Sequence, residues 1–221
     1  MTTSLKGNAV VGQSGGPTCV INQSLVGVIE EVCESERIDR LYGALHGVRG
    51  IIQEEFVDLK QISRHDLDDI ARTPAAALGS CRDKPDEEYC QRIFEVFRKN
   101  RVHYFFYIGG NDSAHTAHII NRLAQQAGYE LKVFHIPKTI DNDLLVTDHC
   151  PGYGTAAKFV ANAVAGDGLD NESLPGIKID VIMGRHAGFL TAASRLARTD
   201  RDASPHLIYV PERPFHMERS L

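Results

Sequence analysis

The sequence is conspicuous for what it lacks. It contains no tryptophan, and no uninterrupted apolar run approaches the roughly 20 residues that a membrane-spanning helix needs. The N-terminal stretch 1–7 has no apolar core of the kind found in signal peptides. The net charge is -5, whereas nucleic-acid-binding proteins are normally basic. These absences predict a cytoplasmic protein that binds neither a membrane nor nucleic acid.

Paired cysteines and two familiar nucleotide motifs are also missing. The cysteines are odd in number and none are spaced as C-x-x-C, so we expect free thiols; they are Cys19, Cys33, Cys81, Cys90 and Cys150. There is no Gly-Lys pair and no G-x-G-x-x-G, which excludes a Walker A loop and the dinucleotide fingerprint. Any phosphate-binding loop must therefore be of another kind.

What the sequence does contain is an alternation of strand-like and helix-like segments. A hydrophobic content of 43% over 221 residues is enough for a substantial core. The alternation predicts an α/β fold with parallel-sheet lobes and helices on both faces, in three layers. The predicted strands are 8–11, 101–108, 131–136, 180–183 and 206–210, and the predicted helices end near Glu34, Lys99, Ala127 and Ala197. A change in the sequence pattern near residue 150 predicts two domains, 1–150 and 151–221.

Two glycine-rich loops each connect a predicted strand to a predicted helix. They are Gly12–Thr18, which contains Gly15 and Gly16, and Gly109–Ser113, which contains Asn111 and Asp112. Glycine permits close approach of the backbone to a ligand, and a helix N-terminus offers N–H groups and a positive dipole end to an anion. The two loops together favour a phosphate site.

The segment Pro137-Lys138-Thr139-Ile140-Asp141-Asn142-Asp143 follows an apolar strand. Open α/β sheets bind ligands at the carboxyl ends of their strands. In an extended chain Asp141 and Asp143 would share a face, with Asn142 pointing away. A cation, a hydroxyl and a carboxylate base are the groups needed to move a phosphoryl group onto an alcohol. The alternative is a polar turn capped by Asp and Asn.

Two arginines follow small-residue turns elsewhere in the chain. Arg82 comes after Gly79-Ser80-Cys81, and Arg185 comes after Met183-Gly184 at the end of a predicted strand. Arginine binds phosphate oxygens in a bidentate manner, although a solvated arginine in a polar loop is an equal alternative for Arg82.

Together these segments resemble the phosphofructokinase family, and specifically its pyrophosphate-dependent branch. The matching motifs run from Gly12 to Phe215 in the family's order. They are G-G-P at 15–17, G-S-x-R at 79–82, G-G-x-x-S at 109–113, P-K-T-I-D-N-D at 137–143, M-G-R at 183–185 and V-P-E-R-P-F at 210–215. The resemblance implies a phosphofructokinase-like fold with an incomplete second lobe.

The resemblance implies a role for each matching residue. Asp141 would take the proton from the C1 hydroxyl of fructose 6-phosphate, and Thr139, Lys138 and Arg82 would stabilise the transferring phosphoryl group. The donor would bind at Gly15, Gly16, Arg82, Asn111, Asp112 and Ser113. The sugar phosphate would bind at Thr139, Asp141, Asp143, Met183, Gly184, Arg185 and Glu212. The division of labour would be a donor-binding lobe, 1–150, and a partial sugar-phosphate lobe, 151–221.

Two positions indicate which donor is used. ATP-dependent members keep glycine where this chain has Asp112 and Lys138, and a carboxylate at Asp112 would crowd and repel a nucleotide. The resemblance therefore implies the reversible glycolytic transfer from pyrophosphate to fructose 6-phosphate, giving fructose 1,6-bisphosphate. The alternatives are an ATP-dependent phosphofructokinase, a related kinase acting on another alcohol, and an inactive phosphate-binding fragment.

The remaining expectations concern the metal, the assembly and the length. Mg²⁺ would be the cofactor, bound by Asp112 and Asn111, although Asn111 stands where much of the family has a metal-binding aspartate. A homo-oligomer, dimer or tetramer, is expected for a full-length member. Family members continue well beyond P-E-R-P-F, so the chain is expected to be C-terminally truncated.

Overall fold

The computed structural model describes residues 5–217, which fall into two compact units divided between Lys138 and Thr139. The first unit contains every named strand and five of the helices. They are β1 (Gly7–Gln13), α1 (Cys19–Glu34), β2 (Ile38–Ala44), α2 (Val48–Gln53), β3 (Phe56–Asp58), α3 (Arg64–Arg72), α4 (Glu87–Lys99), β4 (Val102–Gly109), α5 (Asn111–Gln126) and β5 (Lys132–Pro137). This division by contacts falls after Lys138, and the functional boundary at residue 150 stays a prediction.

The sheet of the first unit has the strand order β3-β2-β1-β4-β5. Strands β2, β1, β4 and β5 are parallel, and Ala9 of β1 pairs with Leu41 on one side and Tyr104 on the other. The predicted parallel α/β sheet is confirmed. It is mixed only at one edge, where β3 pairs antiparallel with β2. The short helix α2 between β2 and β3 gives too little chain for a parallel crossover.

Apolar side chains cover both faces of the sheet. On one face Ala9 and Val11 pack with Ile21, Leu25 and Ile29 of α1. On the other face Val10 belongs to a second cluster, which includes Ile93, Phe97, Phe105 and Ile120 from α4, β4 and α5. Each fully buried aliphatic or aromatic side chain contributes about 1.5–3 kcal/mol. The central strand β1 is therefore held between two helical layers, as the sequence predicts.

The second unit contains α6 (Tyr153–Ser173), α7 (Phe189–Ala193) and a 3₁₀ helix at Ser194–Ala197. Helix α6 and the 3₁₀ helix share a small apolar core, which also includes Leu190 of α7. The predicted helix ending near Ala197 is thus split into an α-helical and a 3₁₀ part. Within the described residues no helix combines the length and apolar character needed to cross a bilayer.

The prediction of strands at 180–183 and 206–210 was wrong. Both segments lie outside regular secondary structure. Val181 is 93% and Leu207 62% accessible, whereas Ile182 and Ile208 are partly buried. A strand forms only where a neighbouring strand accepts and donates its backbone hydrogen bonds. In the described part of this unit, backbone pairing of the β type is confined to the isolated bridge between Thr139 and Gly152.

Candidate functional site

The turn that follows β1 is bound to the segment that carries Arg82. Gly15 has φ +79, a left-handed conformation that favours glycine. Its N–H donates to the carbonyl of Cys81 at 3.2 Å, and its own carbonyl accepts from the hydroxyl of Ser80 at 2.6 Å. These two bonds place the glycine turn and the predicted arginine clamp beside each other.

Lys138 contacts the same glycine turn, although it lies at the end of β5. Its Nζ donates to the carbonyl of Gly16 at 2.8 Å, and only 6% of the residue is exposed. A side chain at Gly15 would bring its Cβ within 3.2 Å of this ammonium, and one at Gly16 would lie 3.7 Å from Nη2 of Arg82. The structure thus brings together three predicted donor-binding residues, Gly15, Gly16 and Arg82, with Lys138, which was predicted to stabilise the transferring phosphoryl group.

The second glycine loop leads directly into α5. Ser113 is buried, while Asn111 and Asp112 are exposed in the first turn of the helix. The carbonyl of Gly109 accepts from the backbone N–H of Lys138 at 2.9 Å. The loop therefore lies next to the lysine segment, as parallel neighbouring strands require.

His135 adds a second hydrogen bond to this loop. Its Nε2 lies 3.0 Å from the carbonyl oxygen of Gly109. A carbonyl only accepts, so Nε2 carries the proton and donates it. Burial lowers the pKa of this imidazole. Burial therefore favours the neutral imidazole, which holds the Gly109 carbonyl by this hydrogen bond.

Asp112 is the group best suited to a divalent metal. Its Oδ2 lies 3.3 Å from Nζ of Lys84, and the carboxylate is 69% exposed. Among the described residues no cluster of three metal-binding side chains occurs. Mg²⁺ commonly binds through one or two carboxylates together with phosphate oxygens and water. One exposed carboxylate beside the two glycine loops fits such a shared ion, but does not fit a metal cage built from the protein alone.

The segment that carries Arg82 is anchored by a contact that the sequence analysis missed. Arg49 donates to Asp83 at 2.7 and 3.3 Å, and the hydroxyl of Tyr89 donates to the same carboxylate at 3.0 Å. The hydrogen bonds from Arg49, followed by that from Tyr89, lower the pKa of Asp83. Because Arg49 lies far from Asp83 in sequence, no local spacing indicates this pair.

In the second unit, the acidic segment forms a turn and not the predicted extended chain. Asn142 has φ +58, a left-handed conformation that asparagine tolerates better than most residues. The amide of Asn142 is buried, accepts from the N–H of Cys150 at 2.8 Å and donates to the carbonyl of Asp148 at 3.1 Å. The extended conformation predicted for this segment was therefore wrong.

Thr139 links the two acidic residues of this turn. Its hydroxyl donates to Asp143 Oδ1 at 2.9 Å and accepts from the backbone N–H of Asp141 at 3.2 Å. Asp141 is half-buried and Asp143 is exposed. Three predicted catalytic or substrate residues are thus connected through one hydroxyl group.

The remaining predicted sugar-phosphate residues lie elsewhere in the second unit. Glu212 accepts from the N–H of Gly188 at 2.7 Å, at the start of α7. Gly184 has φ +124, and the neighbouring Met183 and Arg185 are exposed. The glutamate is held by the helix start, whereas the arginine is free to meet solvent or a ligand.

The sequence of this chain is similar to that of known phosphofructokinases. Residues 8–221 match the phosphofructokinase family. The pyrophosphate–fructose 6-phosphate 1-phosphotransferase of Rhodospirillum rubrum is 56% identical over 213 residues, which are 96% of this chain and 53% of that protein. The protein of the same name from Halomonas elongata is 41% identical, over 94% of this chain and 52% of its own length.

Comparison with solved structures also identifies phosphofructokinases. The crystal structure of pyrophosphate-dependent phosphofructokinase from Marinobacter aquaeolei has a TM-score of 0.84 and 39% identity, covering 97% of this chain and 55% of that one. The chain therefore spans about half the length of the relatives that it matches. With a match over nearly all its residues and the same fold, the chain belongs to the phosphofructokinase family.

Proposed function

We propose that this protein transfers a phosphoryl group from pyrophosphate to the C1 hydroxyl of fructose 6-phosphate. The observation that carries the proposal is the buried ammonium of Lys138 on the Gly15–Gly16 turn, with Arg82 beside it. Two cations beside a glycine turn suit a compact polyanion. Each can donate a hydrogen bond to a charged phosphate oxygen, and such charge-assisted hydrogen bonds are stronger than neutral ones.

The choice of pyrophosphate over ATP rests on two side chains. Lys138 occupies space against the glycine turn, and Asp112 adds a negative charge at the adjacent helix start. A nucleotide would bring its α-phosphate and ribose close to these groups, while pyrophosphate has neither ribose nor base. The relatives with 56% and 41% identity are named for the pyrophosphate reaction, which supports this choice.

The acidic turn supplies the acceptor chemistry in the proposal. Asp141 takes the proton of the C1 hydroxyl as that oxygen forms its bond to phosphorus. The bond to the bridging oxygen breaks, and inorganic phosphate leaves with the bond electrons. Thr139, Lys138 and Arg82 stabilise negative charge on the transferring group. The hydrogen bond from Thr139 to Asp143 fixes the position of the threonine hydroxyl.

The sugar phosphate binds, in the same proposal, to Met183, Gly184, Arg185 and Glu212, with Asp143 contributing from the turn. Asn111 and Asp112 would hold Mg²⁺, which would supply positive charge to the phosphate oxygens. Gly15, Gly16 and Ser113 complete the donor site. A cytoplasmic location, and assembly of the full-length protein into a homo-oligomer, a dimer or a tetramer, belong to the proposal as well.

Calorimetric titration with magnesium pyrophosphate and, separately, with magnesium ATP tests the donor. We expect pyrophosphate to bind and ATP to bind far more weakly. The double variant Asp112→Gly, Lys138→Gly serves as the matched control, and we expect it to lose the preference. Tighter binding of ATP to the unaltered protein would refute the assignment of the donor.

A transfer assay with fructose 6-phosphate tests the base. Replacing Asp141 by serine should lower turnover by roughly 10²- to 10⁴-fold and leave pyrophosphate affinity unchanged. Near-normal turnover in this variant would remove Asp141 from the mechanism.

A further inference from the structure

Lys84 forms an ion pair that connects the arginine segment to the second glycine loop. Its Nζ lies 3.3 Å from Oδ2 of Asp112, and both side chains are largely exposed, at 75% and 69%. Exposed ion pairs contribute little to stability, since water and salt screen them and both side chains lose freedom. The pair is therefore readily exchanged for a stronger partner.

The backbone on either side of Lys84 is held firmly. Asp83 is fixed by Arg49 and Tyr89 on one side, and Pro85 is buried. Asp86 caps α4 by accepting from the N–H of Tyr89 at 2.8 Å. Lys84 is thus a flexible side chain on a well-anchored segment, which suits a residue that changes partner without moving the loop.

The contacts of three successive residues diverge. Asp83 contacts Arg49 and Tyr89, whereas Arg82 lies beside Gly16 and Lys84 reaches Asp112. The hydrogen bonds that hold Asp83 therefore position Arg82 and Lys84 beside the two glycine loops. Without the Asp83 carboxylate, the segment would lose the hydrogen bonds that fix the backbone positions of Arg82 and Lys84.

We propose that Lys84 is a third donor-binding cation, and that it exchanges Asp112 for an oxygen of pyrophosphate when the donor binds. The proposal rests on the proposed function. Before binding, Lys84 screens part of the negative charge of the Asp112 carboxylate. After the exchange, the ammonium meets a phosphate oxygen, and the carboxylate becomes available to the accompanying metal.

Titration with pyrophosphate in the presence of EDTA tests the exchange in the absence of metal. We expect Lys84→Met to weaken binding by about tenfold, because it removes one charge-assisted hydrogen bond. Lys84→Arg should recover most of the affinity. Lys6→Met is the matched control, because it removes another exposed lysine–aspartate pair, at 3.4 Å from Asp39, and we expect no change.

A double-variant cycle distinguishes exchange from simple attraction. Asp112→Asn removes the competing partner of Lys84 and should therefore tighten pyrophosphate binding. We expect this gain in affinity to be about two- to fivefold larger when Lys84 is present than in the Lys84→Met variant. Equal effects in the two backgrounds would refute the exchange. A Lys84→Met affinity within about twofold of the unaltered value would exclude Lys84 from the site.

The same data separate this inference from the proposed function. If the unaltered protein binds pyrophosphate and Lys84→Met binds it equally well, the role of Lys84 alone is wrong. If the unaltered protein does not bind pyrophosphate under any condition, with or without Mg²⁺, the proposed donor is wrong and the role of Lys84 fails with it.

Discussion

Replacing Asn142 by alanine is expected to destabilise the acidic turn and to lower phosphoryl transfer. The side chain of Asn142 is buried and accepts from the N–H of Cys150, and its backbone is left-handed at φ +58. Alanine provides no acceptor and disfavours that conformation. Since Asn142 stands between Asp141 and Asp143, a change in this turn moves the proposed base.

The expected cost follows from these two features. A buried N–H left without an acceptor costs about 1–3 kcal/mol. Forcing alanine into the left-handed region adds about 1 kcal/mol. The sum is about 3 kcal/mol for Asn142→Ala. For Asn142→Gly, which keeps the backbone but loses the hydrogen bonds, it is about 2 kcal/mol.

Hydrogen exchange at the amide of Cys150 measures the bond directly. A loss of about 2 kcal/mol corresponds to an increase of roughly 30-fold in the exchange rate of this N–H. Asn142→Asp is the control, because aspartate keeps an acceptor for Cys150 and tolerates the same backbone. Unchanged protection of Cys150 in the glycine variant would refute the hydrogen-bond argument, and equal stability of the alanine and glycine variants would refute the backbone argument.

Three further predictions concern the first unit. Asp83→Asn should lower the melting temperature at neutral pH. Because the folded carboxylate has a lowered pKa, this difference should be present above its usual value of 3.8 and disappear as the pH falls through the folded pKa. Gly15→Ala should weaken pyrophosphate binding by about tenfold, since its backbone has φ +79 and the new Cβ would lie 3.2 Å from the Lys138 ammonium. Cys90 should resist thiol labelling at pH 8, because burial raises its pKa to about 11, while rapid labelling should be confined to the exposed Cys19 and Cys33.

Each of these three predictions would be refuted by a specific result. A melting-temperature difference for Asp83→Asn that persists in strong acid would mean that the asparagine disturbs packing and not charge. Unaltered pyrophosphate affinity in Gly15→Ala would show that the turn is not where the donor binds. Rapid labelling of Cys90 would mean that α4 opens readily.

The first unit shows where sequence patterns succeed. Helix α1 ends at Glu34, as its apolar spacing predicts, and β4 leads into a glycine loop and α5 at the expected residues. These elements combine a local hydrophobic period with an unambiguous glycine turn. By contrast, α3 has no buried residue and β3 has three residues, so neither carries a strong pattern. Both were missed.

The site shows the same division. Lys138 and Arg82 were predicted from their positions after a strand and a small-residue turn, and the structure places both at Gly15–Gly16. The predicted extended geometry at Asn142 failed, because a single left-handed residue redirects the chain. The contact of Arg49 with Asp83 joins distant parts of the sequence, so its prediction requires the fold itself.

The central position of β1 has a consequence for biosynthesis. Among the described strands β1 comes first in the sequence, yet one of its two partners, β4, begins only at Val102. At about 5–20 residues per second, the ribosome needs about 5 to 20 s to make the chain between them. Throughout that interval one edge of β1 has no strand beside it. During this interval the unpaired edge of β1 is open to pairing with strands of other chains, a hazard that the finished sheet no longer presents at this strand.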